Sequence, residues 1–145
     1  DGEVLAWLGA QGARAIGVDL VPAMAAHCRR RGFDVCVQDM ERLGVRPAFD
    51  WVFCVGSLEF TREPRRAVEA FAGALRAEGR LLLLFPRRGL SGFLYAGYHR
   101  THGVPIWLFS RDDVSRLLAA AGLEVDGWRD CALSSVCTAH RRLPA

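Results

Sequence analysis

One stretch decides the fold: Ala13-Arg14-Ala15-Ile16-Gly17-Val18-Asp19-Leu20-Val21-Pro22. An apolar run from Ala15 to Val18 lies between Gly12 and Pro22, a pattern typical of a short buried strand that leads into a helix. The run ends in Asp19, at the point where the strand meets the next helix. Ligands bind at this edge of an open parallel sheet, and a carboxylate there can accept two hydrogen bonds from a ribose diol. The stretch therefore predicts a sheet edge that binds a nucleoside-bearing cofactor by its sugar.

The rest of the chain alternates helices and strands in the same way. The predicted helices are Glu3–Ala10, Pro22 to about Arg31, Pro64 to about Arg76, and one that Ser110 caps and Gly122 ends. The predicted strands are Ala15–Asp19, Phe33–Gln38, Phe49–Val55, Arg80–Phe85, Leu123–Arg129 and Leu133–His140, with an irregular connection over Glu41–Pro47. This alternation predicts an α/β fold with a mainly parallel sheet and an antiparallel C-terminal hairpin. We expect residues 1–145 to form a single domain.

Composition narrows the class of function. The net charge of +3 is too small to indicate a nucleic-acid partner, and all 19 basic residues are arginine, which excludes lysine Schiff bases and phosphate-loop lysines. The five cysteines lie in apolar segments without a Cys-x-x-Cys motif, which is typical of reduced, buried thiols in a cytosolic protein. No apolar run approaches the ~18 residues of a membrane helix. We therefore expect a cytoplasmic protein that binds a small molecule, with no membrane span.

The segment from Pro86 to Leu108 breaks the alternation and is rich in glycine and aromatic residues. Because it is long for a plain connection, we predict that it is functional or partly helical, and that residues 86–109 form a lid on the substrate side. His99 and His102 lie in this segment, and one of them is a candidate base or substrate ligand. No third ligand accompanies the pair, so no metal site is predicted. We expect the aromatic residues Tyr95, Tyr98 and Trp107 to pack the lid.

A set of short motifs extends over nearly the whole chain. In order they are Asp1-Gly2-Glu3, Gly17-Val18-Asp19-Leu20-Val21-Pro22-Ala23-Met24, Gln38-Asp39-Met40, Phe49-Asp50, Ser57-Leu58-Glu59-Phe60, Leu75-Arg76-Ala77-Glu78-Gly79-Arg80-Leu81, Phe109-Ser110-Arg111-Asp112-Asp113 and Ala121-Gly122-Leu123. The ordered set resembles the class I S-adenosylmethionine-dependent methyltransferases, in particular the small-molecule group that includes quinone-biosynthesis enzymes. The resemblance implies a Rossmann-like methyltransferase sheet.

The resemblance also implies a set of residues that bind S-adenosylmethionine: Gly2, Asp19, Leu20, Asp39, Met40, Ser57 and Leu58. Asp19 would hold the ribose hydroxyls, with Leu20 beside the adenine. Asp39 would accept a hydrogen bond from the adenine amino group, with Met40 on the ring. The backbone carbonyls of Ser57 and Leu58 would line the methionine part. The alternative for both aspartates is local, since Asp commonly caps helices and begins turns.

On the acceptor side, the resemblance places Glu59 and Phe60 near the site of methyl transfer, where the family often has a histidine in place of Phe60. Glu59, His99 and His102 are thus the candidate catalytic residues, for transfer to an oxygen or carbon nucleophile of a small molecule. The alternative for Glu59 is a solvated loop acid, because most glutamates are exposed.

The sequence departs from the family at its start. The family begins with an apolar strand and a Gly-x-Gly-x-Gly turn, of which Gly2 would be the last part. Gly2 precedes Asp19 by about the spacing, roughly 20 residues, found between such glycines and their acid. We expect the first strand to be absent and the sequence to be a fragment, with an apolar strand and a Gly-x-Gly just before Asp1.

Two other classes of protein stay open. A degenerate methyltransferase fold could act as a binding module without catalysis. Nicotinamide-binding Rossmann oxidoreductases share the acid after a strand, although Asp39, the absence of lysine and the terminal hairpin argue against them. The sequence Ser57-Leu58-Glu59-Phe60 replaces the motifs that nucleic-acid amino-methyltransferases and cytosine-carbon methyltransferases carry after this strand.

Overall fold

The computed structural model describes residues 2–142. Asp1, the first residue of the resembling motifs, lies outside these residues. The chain forms two compact units that divide between Leu43 and Gly44, and the single domain expected for residues 1–145 stays a prediction. Within residues 2–142, no helix is both long and apolar enough to cross a membrane.

The first unit is a two-stranded parallel sheet with two helices. Its elements are α1 (Glu3–Ala10), β1 (Gly17–Asp19), α2 (Pro22–Arg30), β2 (Val35–Val37) and a 3₁₀ turn (Met40–Arg42). Val18 lies opposite Cys36, and Asp19 opposite Val37. The core is small and consists of Ala25, Cys28 and Val35, with Leu5 and Phe33 packed against them.

Gly17 explains how α1 approaches this sheet. A Cβ atom at Gly17 would lie 2.9 Å from Cδ1 of Leu5 and 3.1 Å from a Cγ of Val35. Only glycine therefore leaves room for the α1 side chain against the strand. Pairing starts at this residue, and β1 is shorter than the predicted Ala15–Asp19 because Ile16 stays outside the ladder and is exposed.

The second unit is a four-stranded mixed sheet. Its elements are β3 (Phe49–Val55), a 3₁₀ turn (Leu58–Phe60), α3 (Pro64–Ala74), β4 (Leu75–Pro86), α4 (Leu90–Thr101), α5 (Arg111–Ala120), β5 (Leu123–Cys131) and β6 (Ser134–Arg141). The strand order is β3-β4-β6-β5. β3 is parallel to β4, and β6 is antiparallel to both β4 and β5. Three strands thus run in one direction, and the predicted C-terminal hairpin is confirmed.

The boundary between α3 and β4 differs most from the sequence prediction. α3 ends at Ala74 instead of Arg76, and the strand predicted to begin at Arg80 begins at Leu75. Leu75 is extended, fully buried and paired with Phe49. The guanidinium of Arg141 donates to the carbonyls of Ala72 and Leu75, at 2.5 and 3.3 Å. Burial of Leu75 and this contact from a distant strand therefore end the helix early.

The predicted lid segment contains a helix, α4, which confirms that the segment is partly helical. After it, Ser110 caps α5 as predicted: its hydroxyl accepts from the Asp113 N–H at 3.2 Å, and the Asp113 carboxylate accepts from the Ser110 N–H at 2.9 Å. The hydrogen bonds from the side chain and backbone of Ser110 lower the pKa of Asp113 to about 2. A reciprocal cap of this kind fixes where the segment ends and α5 begins.

Candidate functional site

Asp19 and Asp39 lie at the same edge of the first unit's sheet. β1 and β2 are parallel, so their C-terminal ends meet at one edge. Asp19 is the last residue of β1, its carbonyl accepts from the Gln38 N–H at 3.1 Å, and Asp39 follows directly. The placement predicted from sequence is confirmed, whereas the roles of the two residues stay predictions.

Both aspartates also accept a hydrogen bond from a nearby backbone N–H, as expected if they act only as local caps. Oδ1 of Asp19 accepts from the Val21 N–H at 2.8 Å, and Oδ1 of Asp39 accepts from the Glu41 N–H at 2.9 Å. These bonds hold each side chain in place, and among residues 2–142 the other carboxylate oxygen of each accepts no hydrogen bond. Leu20 beside them is 65% exposed, and Met40 is half-buried. The carboxylate oxygens of Asp19 and Asp39 that accept no hydrogen bond thus lie beside apolar side chains, an arrangement that suits the binding of an adenosine.

Gly2 precedes α1 in a left-handed conformation, with φ 87°. A Cβ atom there would lie 3.0 Å from the Phe33 ring and 3.4 Å from Sγ of Cys28. Glycine is thus required at this position by conformation and by packing. Its part in a cofactor-binding turn stays a prediction.

In the second unit, the end of β3 leads through Gly56 and Ser57 into the 3₁₀ turn. The Gly56 N–H donates to the Leu84 carbonyl at 2.9 Å. The Ser57 carbonyl accepts from the Phe60 N–H at 3.1 Å, and the carbonyl of the fully buried Leu58 accepts from the Thr61 hydroxyl at 2.7 Å. These carbonyls stabilise the turn, and their role toward a cofactor stays a prediction.

Glu59, in the middle of this turn, is buried, with only 2% of its surface exposed. The interpretation as a solvated loop acid is therefore wrong. Its Oε2 has no hydrogen-bond partner among the described residues, and burial raises the pKa of the carboxyl from 4.5 to about 6. Buried ionisable groups with shifted pKa values that line a cavity are candidates for functional sites.

Glu59 lines a cavity of about 260 Å³ within the second unit. The lining residues are Gly56, Glu59, Leu84, Pro86, Tyr95, Leu133 and Ser134. Burial, and then the charge of Glu59, raise the pKa of Tyr95, which reaches the cavity from α4. The walls are mostly apolar, and the volume lies just below the range for small-molecule sites, roughly 300–1,000 Å³. The cavity can therefore hold a small ring or one end of a larger ligand.

Trp107 joins the end of the lid segment to the turn that carries Glu59. Its backbone N–H donates to the Glu59 carbonyl at 2.9 Å, and its indole N–H donates to the Thr61 carbonyl at 2.9 Å. The sequence alone predicts only that Trp107 packs the lid. The available signal was that a tryptophan usually finds a partner for its N–H when it packs against protein.

His99 and His102 lie on α4 but do not line the cavity. The His99 ring contacts Tyr95, with centroids 4.5 Å apart, and Phe60, at 5.3 Å. A histidine is thus held beside Phe60, the position where the resembling family often has one. His102 is exposed, and its Nδ1 lies 2.9 Å from the Tyr98 carbonyl. Within residues 2–142, no group of three His, Cys, Asp or Glu side chains is placed to hold a metal ion.

Burial of Glu59 predicts an unusual dependence of stability on pH. In the unfolded chain its pKa is the ordinary 4.5, so between pH 4.5 and about 6 the unfolded state has released a proton that the native state still holds. The free energy of unfolding should therefore fall by about 2 kcal/mol as pH rises through this window. Urea denaturation across the window should show this fall, which Glu59→Gln removes and Glu69→Gln, on the surface, retains. An unchanged pH profile in Glu59→Gln would contradict the burial.

Comparison with known proteins agrees with this architecture. A family model described as a methyltransferase domain matches residues 1–83. A ubiquinone biosynthesis O-methyltransferase from Xylella fastidiosa is 33% identical over 97 residues, which are 61% of this chain and 39% of that protein. The chain thus spans less than half of the length of this relative.

Solved structures share the fold at low identity. An S-adenosylmethionine-dependent methyltransferase from Mesorhizobium loti has a TM-score of 0.83 at 15% identity, over 97% of this chain and 86% of that one. A 1,6-didemethyltoxoflavin-N1-methyltransferase from Burkholderia thailandensis, crystallised with bound 1,6-didemethyltoxoflavin and S-adenosylhomocysteine, has a TM-score of 0.78 at 19% identity, over 97% of this chain and 66% of that one. Since the family model covers more than half of the sequence, the chain belongs to the methyltransferase domain family and has its Rossmann-like α/β fold.

Proposed function

We propose that the protein transfers a methyl group from S-adenosylmethionine to an oxygen or carbon nucleophile of a small molecule. Family membership supports the reaction class, and the name of the Xylella relative supports an oxygen acceptor. The observation that supports the acceptor side is Glu59, a residue that lines a cavity and whose buried carboxyl has one oxygen without a hydrogen-bond partner. A cytoplasmic location is part of this proposal, since the described cysteines are free thiols.

The cofactor side rests on the edge of β1 and β2. Asp19 would accept from the ribose hydroxyls and Asp39 from the adenine amino group, each with the oxygen that has no local partner, while Leu20 and Met40 would pack against the adenine. Gly2, Ser57 and Leu58 keep the roles that the resemblance implies. When bound, the cofactor supplies an electrophilic methyl group. The protein mainly positions the two reactants, which can lower a barrier by about 7–11 kcal/mol.

On the acceptor side, Glu59 would remove the proton of the acceptor hydroxyl. A pKa of about 6 leaves this carboxyl mostly ionised at neutral pH while keeping it more basic than an ordinary glutamate. Trp107 fixes the turn through both of its N–H groups. His99 and His102 stay candidates for binding the acceptor or for a second proton transfer, with His99 the better placed because its ring contacts Tyr95.

Calorimetry with S-adenosylhomocysteine and with NAD tests the cofactor assignment. We expect S-adenosylhomocysteine to bind and NAD not to bind. Replacing Asp19 with asparagine should weaken binding by about 10-fold or more, because it removes a charged acceptor worth roughly 1.5–3 kcal/mol. Asp34→Asn, at an exposed position of the same unit, is the matched control. Binding of NAD alone would indicate an oxidoreductase, and cofactor binding without methylation of any acceptor would indicate a binding module.

A further inference from the structure

The side chains that line the cavity around Glu59 supply a negative charge and no positive charge. Glu59 is the single carboxylic acid among the lining residues, and the described residues that line the cavity include no arginine, although the sequence has 19. The nearest arginines along the chain, Arg87 and Arg88, follow the lining residue Pro86. The guanidinium of each lies near a carboxylate: that of Arg87 is 3.8 Å from the carboxylate of Asp130, and that of Arg88 is 3.5 Å from the carboxylate of Asp113.

A ligand in this cavity therefore lies beside the carboxyl of Glu59, whose Oε2 is buried without a donor. A buried acceptor without a partner destabilises the protein, and a ligand hydroxyl that donated to this carboxyl would recover that free energy. A carboxylate or phosphate in the same place would bring a second negative charge close to Glu59 with no cation to balance it. The apolar walls, Leu84, Pro86 and Leu133, supply no positive charge to offset this repulsion.

We propose that the cavity binds the reacting end of the acceptor as an uncharged hydrogen-bond donor, and that Glu59 excludes ligands with a carboxylate or phosphate there. The proposal rests on the proposed function only in calling the ligand the acceptor. The preference itself follows from the lining residues and the unpartnered oxygen.

Two other ionisable groups near Glu59, Cys54 and Tyr95, stay uncharged in the neutral range. The effect of a third, His99, can be distinguished from that of Glu59 by mutation. Burial raises the pKa of the Cys54 thiol, behind the turn, to about 12, and burial raises the pKa of Tyr95 on α4. His99, against Tyr95, is the remaining titratable side chain on α4 near the cavity. A variant at Glu59 and a variant at His99 therefore assign any pH dependence to one of the two.

The test compares two ligands of nearly the same shape, benzyl alcohol and benzoate, by ligand-observed NMR at millimolar concentration. At about pH 7.5 we expect the chain to bind benzyl alcohol at least 10-fold more tightly than benzoate, a difference of about 1.4 kcal/mol. Glu59→Gln should bring the two affinities within about 3-fold. Lowering the pH to about 5, where benzoate is still an anion, should strengthen the binding of benzoate to the wild type and to His99→Gln. It should not strengthen the binding of benzoate to Glu59→Gln. Glu59→Asp, which retains the charge, should retain the preference.

Three outcomes overturn the proposal. They are equal binding of the two ligands to the wild type, an unchanged ratio in a folded Glu59→Gln protein, and no binding of either ligand. The test requires neither cofactor nor turnover, so its result is distinguishable from that of the proposed function. If S-adenosylhomocysteine fails to bind but the preference is observed, the proposed function fails and the charge selectivity of the cavity stands.

Discussion

Replacing Glu59 with glutamine is expected to lower kcat for methyl transfer by about 10²–10⁴-fold, the usual contribution of a positioned base. The change keeps the size and shape of the side chain and removes its ability to take a proton. Binding of S-adenosylhomocysteine should not change, because Asp19 and Asp39 belong to the first unit and the proposed contacts of Ser57 and Leu58 are made by backbone carbonyls. Initial rates at saturating cofactor, together with calorimetry, measure the two effects separately.

The pH profile gives this prediction a second, independent measurement. Glu59 acts as a base only when ionised, so kcat/KM should rise with pH up to about 6 and then level off. The rise should be retained in Glu69→Gln and in His99→Gln. Full activity in Glu59→Gln, or loss of the rise in His99→Gln alone, would assign the base to another residue.

The sheet edge with Asp19 and Asp39 was predictable because its signals are local. Each strand is a short apolar run that ends in an acid and is followed by a turn or a helix, and parallel strands bring those acids to one edge. The cap at Ser110 was predictable for the same reason, since both partners lie within four residues of each other.

Burial of Glu59 was not predictable in this way. The surroundings of Glu59 include Tyr95 and Trp107, which lie far along the chain, and the Trp107–Thr61 hydrogen bond spans 46 positions. The position of β6 between β4 and β5 is a similar case. The sequence indicates a hairpin, but only pairing of β6 with β4 over Arg80–Pro86 determines which of its strands is central. Contacts of this kind leave no periodic pattern in a single sequence.

The packing of α4 in the lid segment can be tested at Gly92, which is buried in this helix. A Cβ atom added there would overlap the Arg87 carbonyl oxygen and lie 3.4 Å from a methyl group of Leu108. The first neighbour is backbone and cannot rotate away, so Gly92→Ala must shift α4 relative to the strand end that precedes it. We expect a loss of roughly 1–3 kcal/mol in the free energy of unfolding, the usual cost of overpacking.

Gly97→Ala is the matched control because it lies on the same helix and has no atom within 4 Å of the added Cβ. Alanine is the better helix former, so this variant should gain about 0.5–1 kcal/mol. Tyr95 reaches the cavity from the turn of α4 that follows Gly92, so a shifted helix in Gly92→Ala should also raise the acceptor KM by about 10-fold, with cofactor affinity unchanged. Denaturation of both variants measures the change in the free energy of unfolding, and steady-state kinetics measure the change in the acceptor KM. Equal stability and equal KM in the two proteins would show that α4 does not pack on Arg87, and that the cavity wall it supplies is not part of the acceptor site.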